Sequence, residues 1–231
     1  MGDGLYVAMS AATARTRQLD AVADVLANAQ TPGFLADRTV FEVTAPGPGA
    51  PLPHVVTVDG GVDATPGTPT STGRPLDVML EHGTFLQVLL PDGTLAHTRN
   101  GSLQVRADGL VTTGGHAVRD EDGAPLVLPP GTATVHEDGS VWVNGREAAR
   151  LQVDRLDGTL RRVSSHAVRA DAAAAPVVPH LAIGQLEMPR QGALAAAVQM
   201  VNVQRQFENA TQAMQAYRRL DQVAGELGRV R

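Results

Sequence analysis

The 231-residue sequence contains no cysteine, so disulfide bonds and thiol chemistry are excluded. Only 3% of its residues are aromatic, so its core has to be built mainly from aliphatic side chains. No apolar run reaches the roughly 18 residues that a membrane-spanning helix needs, and no basic-apolar-small signal peptide opens the chain. The net charge is −5 without a dense basic patch. We therefore expect neither a membrane span nor nucleic acid as a partner.

The residue patterns that catalysis and metal binding require are also missing. The seven histidines (54, 82, 97, 116, 136, 166 and 180) stand singly, without a second histidine at helical spacing or an adjacent carboxylate cluster. The sequence has no Gly-x-Gly-x-x-Gly and no Walker loop. Ser164-Ser165-His166 contains nucleophile and base types, but adjacent residues of a strand point to opposite faces. We expect no catalytic residue, no metal, no cofactor and no enzymatic activity.

Long amphipathic patterns lie at both ends of the chain, at residues 3–29 and 192–227. In each, apolar residues recur in alternating steps of four and three, which is the seam of helices that pack on other helices. A narrow apolar stripe must be covered, either by the other terminal helix or by another subunit, so these stripes are the predicted assembly surfaces. Their positions are Leu5, Met9, Ala12, Thr16, Leu19, Ala23 and Leu26 in the first helix, and Ala196, Met200, Val203, Phe207, Ala210, Met214 and Tyr217 in the second.

Asp-Gly and Asn-Gly dipeptides punctuate the middle of the chain, beginning at positions 92, 100, 108, 122, 138, 144 and 157. Such dipeptides are strong hairpin signals, and short β-prone runs separate them. The pattern predicts an antiparallel β domain and excludes a parallel-sheet nucleotide fold. The predicted strands are 76–80, 84–90, 94–98, 102–106, 110–113, 125–128, 132–136, 140–143, 150–155 and 160–164.

The predicted fold class is α+β: the two long terminal helices form a coiled-coil-like terminal domain, and the central part of the chain forms an antiparallel all-β domain of short strands. Proline-, glycine- and alanine-rich stretches suggest where the boundaries lie. We expect the N-terminal helix and its extension at 1–44, a Pro/Gly-rich linker region at 45–75, the β domain at 76–169, a second linker at 170–191, and the C-terminal helix at 192–231.

Five segments, in order along nearly the full chain, resemble one known family. Residues 5–12 and 26–34 are similar to the N-terminal signature of bacterial flagellar rod and hook proteins. Residues 76–88 resemble the first core strands of that family, residues 92–109 its internal motif, and residues 204–208 its C-terminal helix motif. The motif residues are Asn28, Thr31, Gly33, Phe34, Thr98, Arg99, Asn100, Gly101, Gln204, Arg205, Phe207 and Glu208.

The resemblance implies an axial structural subunit of the flagellar basal-body rod. The short central domain and the amino-acid sequence of residues 204–208 are most similar to those of proximal rod proteins, with distal rod proteins as the alternative. Implied partners are other rod subunits, copies of the chain itself in a helical assembly, and the flagellar type III export apparatus. The implied location is the periplasmic part of the basal body, reached without a cleaved signal peptide.

Two other classes stay open on the residues alone. One is a secreted β-rich module that binds peptidoglycan or a surface glycan and uses its helices only to oligomerise. That function needs an exposed aromatic platform, for which Trp142 is among the few residues available. The other class is an enzyme, which lacks a convergent set of catalytic residues.

Overall fold

The computed structural model describes residues 3–44 and 54–229. Among them, the chain forms one helix, eighteen short strands and a second helix, in that order. The predicted α+β class is therefore confirmed. The chain divides into two compact units. The helical unit comprises residues 1–27, 38–60 and 193–231, and the β unit comprises residues 28–37 and 61–192.

The helical unit contains both long helices. Helix α1 runs over Asp3–Ala27 and helix α2 over Ala193–Arg229. α1 ends before a turn that contains Pro32, which cannot continue a helix, and Gly33, which adopts a φ of 66°. At 1.5 Å per residue, the 37 residues of α2 extend about 55 Å. The two helices contact each other.

A two-stranded ribbon follows α1 and is formed by β1, Asp37–Thr44, and β2, His54–Val62. Part of this ribbon falls inside the region expected to be a linker, as does β3 at Thr68–Ser71. Residues 45–53 of that region lie outside the described residues. Segments rich in polar residues, proline and glycine thus form strands in this region. They can do so because β1, β2 and β3 are edge strands, and edge strands tolerate these residues better than central strands do.

The remaining strands belong to the β unit. Where these strands pair, the pairing is antiparallel, as the turn dipeptides predicted. They are β4 Val78–Met79, β5 Thr84–Leu89, β6 Leu95–Thr98, β7 Gln104–Val105, β8 Val111–Thr113, β9 His116–Val118, β10 Ala133–Val135, β11 Ser140–Val143, β12 Arg146–Arg150, β13 Val153–Arg155, β14 Leu160–Ser164, β15 Ala167–Ala170, β16 Ala175–Pro176, β17 Ala182–Ile183 and β18 Gln185–Met188.

The largest sheet has the strand order β14-β15-β6-β5-β9-β8-β7, and β13 joins it by pairing with both β5 and β16. A three-stranded sheet, β10-β11-β12, and the pairs β17-β4 and β18-β3 complete the unit. Strands β16, β17 and β18 lie within residues 170–191, which were expected to be a linker. Because β18 pairs with β3 and β17 with β4, this segment is folded onto the start of the β unit.

Two features of the strand prediction are corrected by the structure. The strand expected at 125–128 is wrong, because these residues pair with their neighbours through the isolated bridges Leu110–Val127 and Arg119–Pro125 and do not form a continuous strand. Strands β9, β12 and β15 were not expected. β12 follows the Asn144-Gly145 turn, in which both residues have positive φ, as a type I′ hairpin requires. Its polar and alanine-rich sequence hides the alternation that normally identifies a strand.

Two buried apolar clusters form the core of the β unit. The larger contains seventeen buried residues, among them Leu86, Val88 and Val118, each fully shielded from solvent. The smaller surrounds Phe85 and includes Leu35, from the segment that follows α1. The core is mainly valine and leucine, as the low aromatic content predicted.

Candidate assembly surfaces and the motif junction

The predicted seam of α2 lies mostly on the less exposed side of that helix. Ala196 and Val203 are buried. Four further seam residues, Met200, Phe207, Ala210 and Met214, are half-buried, whereas Tyr217 is 45% exposed. Burial inside a subunit does not test a role in assembly, so that role stays a prediction for these residues.

The seam of α1 is more divided. Ala12 is buried, Leu19, Ala23 and Leu26 are half-buried, and Met9 and Thr16 are exposed; the side chain of Leu5 lies outside those that the structure describes. Three neighbouring residues that the predicted seam did not include are also buried, namely Ala14, Val22 and Val25. Val22, Val25 and Ala29 also follow steps of three and four, so the sequence carries two overlapping stripes. Apolar spacing alone gives no means of choosing between them.

A further apolar stripe on α2 remains exposed. Leu194, Val198 and Val201 recur in steps of four and three and are 81%, 56% and 47% exposed. Leu220, further along the same helix, is 65% exposed. Scattered single apolar residues on a surface are ordinary, but three at helical spacing form a continuous face. In the subunit by itself, this face of α2 is open to solvent.

The internal and N-terminal motifs meet in the β unit, at a place that we call the motif junction: Gly33, residues 98–101 and Glu187. Arg99 is 2% exposed and Glu187 is 3% exposed. The Arg99 Nε donates a hydrogen bond to Glu187 Oε2 at 2.6 Å, and Arg99 Nη2 pairs with the same oxygen. The other Glu187 carboxylate oxygen accepts a hydrogen bond from the backbone N–H of Gly67 at 2.6 Å.

The rest of the Arg99 guanidinium is also hydrogen-bonded. Its Nη1 donates to the carbonyls of Glu81 and Thr84, at 3.0 and 2.8 Å, and its Nη2 donates to Leu80 O at 3.1 Å. The guanidinium carbon lies 5.5 Å from the centre of the Phe85 ring. Arginine suits this site because its planar group carries five donors in a fixed fork. One side chain thereby fastens the loop before β5 to β18.

Two glycines of the family motifs are required by close backbone approach. A Cβ on Gly33 would lie 2.2 Å from the backbone nitrogen of Asn100, and the φ of Gly33 is +66°. A Cβ on Gly101 would lie 1.6 Å from the carbonyl oxygen of Val78. Gly33 also donates its N–H to Glu187 O at 2.7 Å. Any other residue at position 33 would force the N-terminal and internal motifs apart, and any other residue at position 101 would force the internal motif away from Val78 in β4.

Hydrogen bonds within the motifs hold their loops in shape. Thr31 Oγ1 donates to Asn28 Oδ1 at 3.3 Å, and Asn100 N donates to Thr98 Oγ1 at 3.1 Å. Thr113 Oγ1 donates to Asn100 O at 2.8 Å, which ties the internal motif to β8.

Phe34 connects the end of the N-terminal motif to β14. The guanidinium carbon of Arg162 lies 4.8 Å from the centre of the Phe34 ring, and its Nε donates to Asp37 Oδ1 at 3.0 Å. Arg162 Nη2 also donates to the carbonyl of Leu35. These contacts explain why residues 28–37 belong to the β unit, although the sequence placed them with the terminal helix.

The C-terminal motif lies on α2 in the helical unit. Phe207 is half-buried, whereas Gln204, Arg205 and Glu208 are exposed. The structure therefore brings the N-terminal and internal motifs together and leaves the polar residues of the C-terminal motif on a helix surface. Glu187 was not found from the sequence, because it lies 88 residues from Arg99 and no local pattern marks it.

A second buried polar group connects β5, β6 and β13. His97 Nε2 lies 2.9 Å from Asp154 Oδ2, and Gln87 and Gln152 donate side-chain hydrogen bonds to the same carboxylate. Burial raises the pKa of Asp154, but the hydrogen bonds from His97, Gln152 and Gln87 outweigh burial and leave the pKa below its ordinary value. The arrangement stabilises a charged carboxylate inside the sheet. Among the described residues, no group of three or more potential ligands converges on a metal position.

Comparison with known proteins agrees with these motifs. The family model described as "Flagella basal body rod protein" matches residues 5–34, and "Flagellar hook protein FlgE/F/G D1 domain" matches residues 80–143. The chain is 34% identical to the flagellar basal-body rod protein FlgF of Escherichia coli strain K12, over 90% of this chain and 91% of that protein. The chain belongs to the FlgF family of flagellar basal-body rod proteins.

Other relatives span similar lengths. FlgF of Salmonella typhimurium is 33% identical over 90% of this chain and 91% of its own. The flagellar basal-body rod protein FlgG of Borreliella burgdorferi is 27% identical over 97% of this chain and 98% of its own. The rod-protein match at residues 5–34 includes α1 from residue 5 onward and reaches Gly33, while the D1 match includes Arg99, so the motif junction joins the two matched regions. In the part of the FlgF-family chain that the structure describes, neither helix combines the length and apolarity of a membrane span.

Proposed function

We propose that this chain is a structural subunit of the flagellar basal-body rod and that it polymerises helically through α1 and α2. The observation that carries the proposal is the exposed apolar face of α2, where Leu194, Val198 and Val201 are open to solvent. Of the predicted seam residues of the same helix, only Ala196 and Val203 are deeply buried. A helix of this length requires a neighbour to cover such a face. Open helical polymers supply that neighbour through contacts between different surfaces of successive subunits.

In this proposal, the helices of adjacent subunits pack against one another in a coiled-coil-like manner. Alternation of small and large seam residues, such as Ala196 with Met200 and Ala210 with Met214, supports interdigitation of facing helices. The partners are other rod subunits and copies of the same chain, delivered by the flagellar type III export apparatus. The site of assembly is the periplasmic part of the basal body.

The position within the rod is proposed to be proximal. Support comes from the 34% identity to Escherichia coli FlgF over nine-tenths of the chain, compared with 27% to Borreliella burgdorferi FlgG over nearly all of it. The motif residues 204–208, exposed on α2 apart from Phe207, are available to a neighbour at this position. As a non-enzymatic subunit, the chain would transmit torque and support motility.

The test is genetic and structural. The gene is deleted in its host and complemented with the full chain, with a chain lacking residues 3–29, or with one lacking residues 192–231, and basal bodies are imaged by electron cryotomography. We expect the deletion to lack a complete rod and only the full chain to restore the rod and swimming. Immunoblots of cell and secreted fractions establish that each truncated chain is made. Complete rods without the gene would overturn the proposal.

A further inference from the structure

The single tryptophan of the chain lines an open groove on the β unit, apart from the seams and the motif junction. The groove has a volume of about 550 Å³ and is lined by Trp142, His136, Ile183, Glu137, Asp138 and Glu147. That volume is in the range that accommodates a small ligand or a few side chains of a partner. Trp142 is half-buried, so part of its indole ring faces solvent.

The indole ring is held in place on two sides. The rings of His136 and Trp142 are stacked, with 5.1 Å between their centres and 5° between their planes. The indole Nε1–H donates to Ser140 Oγ at 3.0 Å, and Ser140 Oγ donates in turn to Asp138 Oδ1 at 2.7 Å. A ring with its orientation fixed before binding loses little conformational freedom when a partner contacts it.

The charge around the ring is negative. Three carboxylates, Glu137, Asp138 and Glu147, line the groove. Hydrogen bonds from the Ser140 side chain and backbone hold the pKa of Asp138 below its ordinary value, which keeps that group ionised. Arg150 is the cation beside them and lies 3.1 Å from Glu147 and 3.7 Å from Asp138. Among the residues that the structure describes, no hydrogen bond or ion pair engages the Glu137 side chain.

Aromatic and acidic groups together select the chemistry of the occupant. The face of an indole attracts cations, and a guanidinium can stack on it while hydrogen-bonding to a carboxylate. A neutral glycan would use the ring but would leave the Glu137 carboxylate without a charged partner, whereas Arg150 already lies beside Asp138 and Glu147. We propose that the Trp142 groove is a docking site for a basic segment of a partner protein, with an arginine side chain on the indole and Glu137 and Glu147 pairing with its charge.

The groove lies in the β unit, and its binding can be measured without polymerisation, so the proposal does not depend on rod assembly. Because the chain has one tryptophan, indole fluorescence of the full-length protein reports this groove alone. Hexa-arginine is titrated into the protein, with hexaglutamate and chitotetraose as the comparison ligands. We expect hexa-arginine to change the Trp142 emission saturably, with weaker binding at higher salt, and we expect no change from hexaglutamate or chitotetraose.

Charge variants decide whether the response is specific to the groove. Glu137→Gln removes the carboxylate that has no partner among the described residues, and Asp157→Asn makes the same change in net charge at an exposed turn outside the groove. We expect Glu137→Gln to weaken hexa-arginine binding roughly three- to fivefold, as for loss of one partly exposed charge pair. Asp157→Asn should change it less than about twofold. Equal effects of the two variants, no saturable response to hexa-arginine, or saturable binding of chitotetraose instead would each overturn the proposal.

Discussion

At the scale of single residues, the decisive contact is a buried charge pair rather than an apolar one. Desolvating Arg99 and Glu187 costs free energy, which hydrogen bonds must offset at every polar atom. Four separate acceptors surround the guanidinium, and the Glu187 carboxylate also receives the N–H of Gly67. A pair of this kind does not need to be strongly stabilising as a whole, but removing either member leaves the other buried and unpaired.

We therefore expect Arg99→Lys to lower the free energy of unfolding of the β unit by about 3 kcal/mol. An ammonium group has three donors and no fork, so it cannot reach Glu187 and all the carbonyls of Leu80, Glu81 and Thr84 together. Urea unfolding followed by circular dichroism provides the measurement. Arg161→Lys is the matched control, because Arg161 and Asp171 form an exposed ion pair, and it should cost less than about 1 kcal/mol. A loss for Arg99→Lys no larger than that of the control would contradict the prediction.

The sequence identifies only some of the residues that meet at the motif junction. Arg99, Gly33 and Gly101 stood out because they belong to short motifs. The two glycines are required because another backbone approaches each of them within the space of a Cβ, and those backbones come from segments that are distant from Gly33 and Gly101 in sequence. Glu187 carries half of the charge pair and is flanked by Leu186 and Met188 without any turn or motif signal. Only the fold shows that residues 33, 99 and 187 meet.

At the scale of elements, α2 has two apolar stripes with different surroundings. Val203 is 2% exposed within the subunit, whereas Val198 is 56% exposed. We expect Val203→Asp to disrupt the helix pair of the isolated subunit, because it buries an unpaired charge. Val198→Asp should leave the helicity of the isolated protein unchanged and still prevent its incorporation into rods. Far-ultraviolet circular dichroism of the purified chains and fractionation of basal bodies from complemented cells test the two parts.

Gln212→Asp controls for the added charge and the poorer helix propensity of aspartate, since Gln212 is exposed on the same helix. It should change neither helicity nor incorporation. If Val198→Asp assembled as well as this control, the exposed stripe would not be a contact between subunits.

Elements with strong local signals were predictable, and those with pairing set by distant residues were not. The 3–4 spacing located both helices, and the dipeptides Asp92-Gly93 and Asn144-Gly145 marked hairpin turns. β3 and β16 contain proline and depend on partners far along the chain, so composition made them look like linkers. In α1, valines and alanines occupy two adjacent helical faces, and only the folded structure shows that Val22 and Val25 are deeply buried.

At the scale of the whole molecule, the two units differ in how much apolar surface each buries by itself. The β unit contains seventeen- and six-residue clusters, whereas the buried apolar side chains described in the two helices are only alanines and valines: Ala12, Ala14, Val22, Val25, Ala196 and Val203. Helices draw most of their stability from packing of an apolar face, and isolated helical segments open readily. In a chain that polymerises, neighbouring subunits supply the apolar contacts that the helices lack in the isolated subunit. The helices are therefore fully stabilised only when the chain assembles.

Hydrogen exchange of the purified chain and of isolated rods tests this relation. In the purified chain, we expect amides of α2 from residue 204 to residue 220 to exchange at least about 100-fold faster than those of β5, because opening free energy rises with the apolar contact that must be broken. In rods, the same α2 amides should become protected while β5 changes little, since its contacts lie within the β unit. The β5 amides thus serve as the internal control. Equal protection of α2 and β5 in the purified chain would show that the helix needs no neighbour, and the helical-assembly proposal would lose its physical basis.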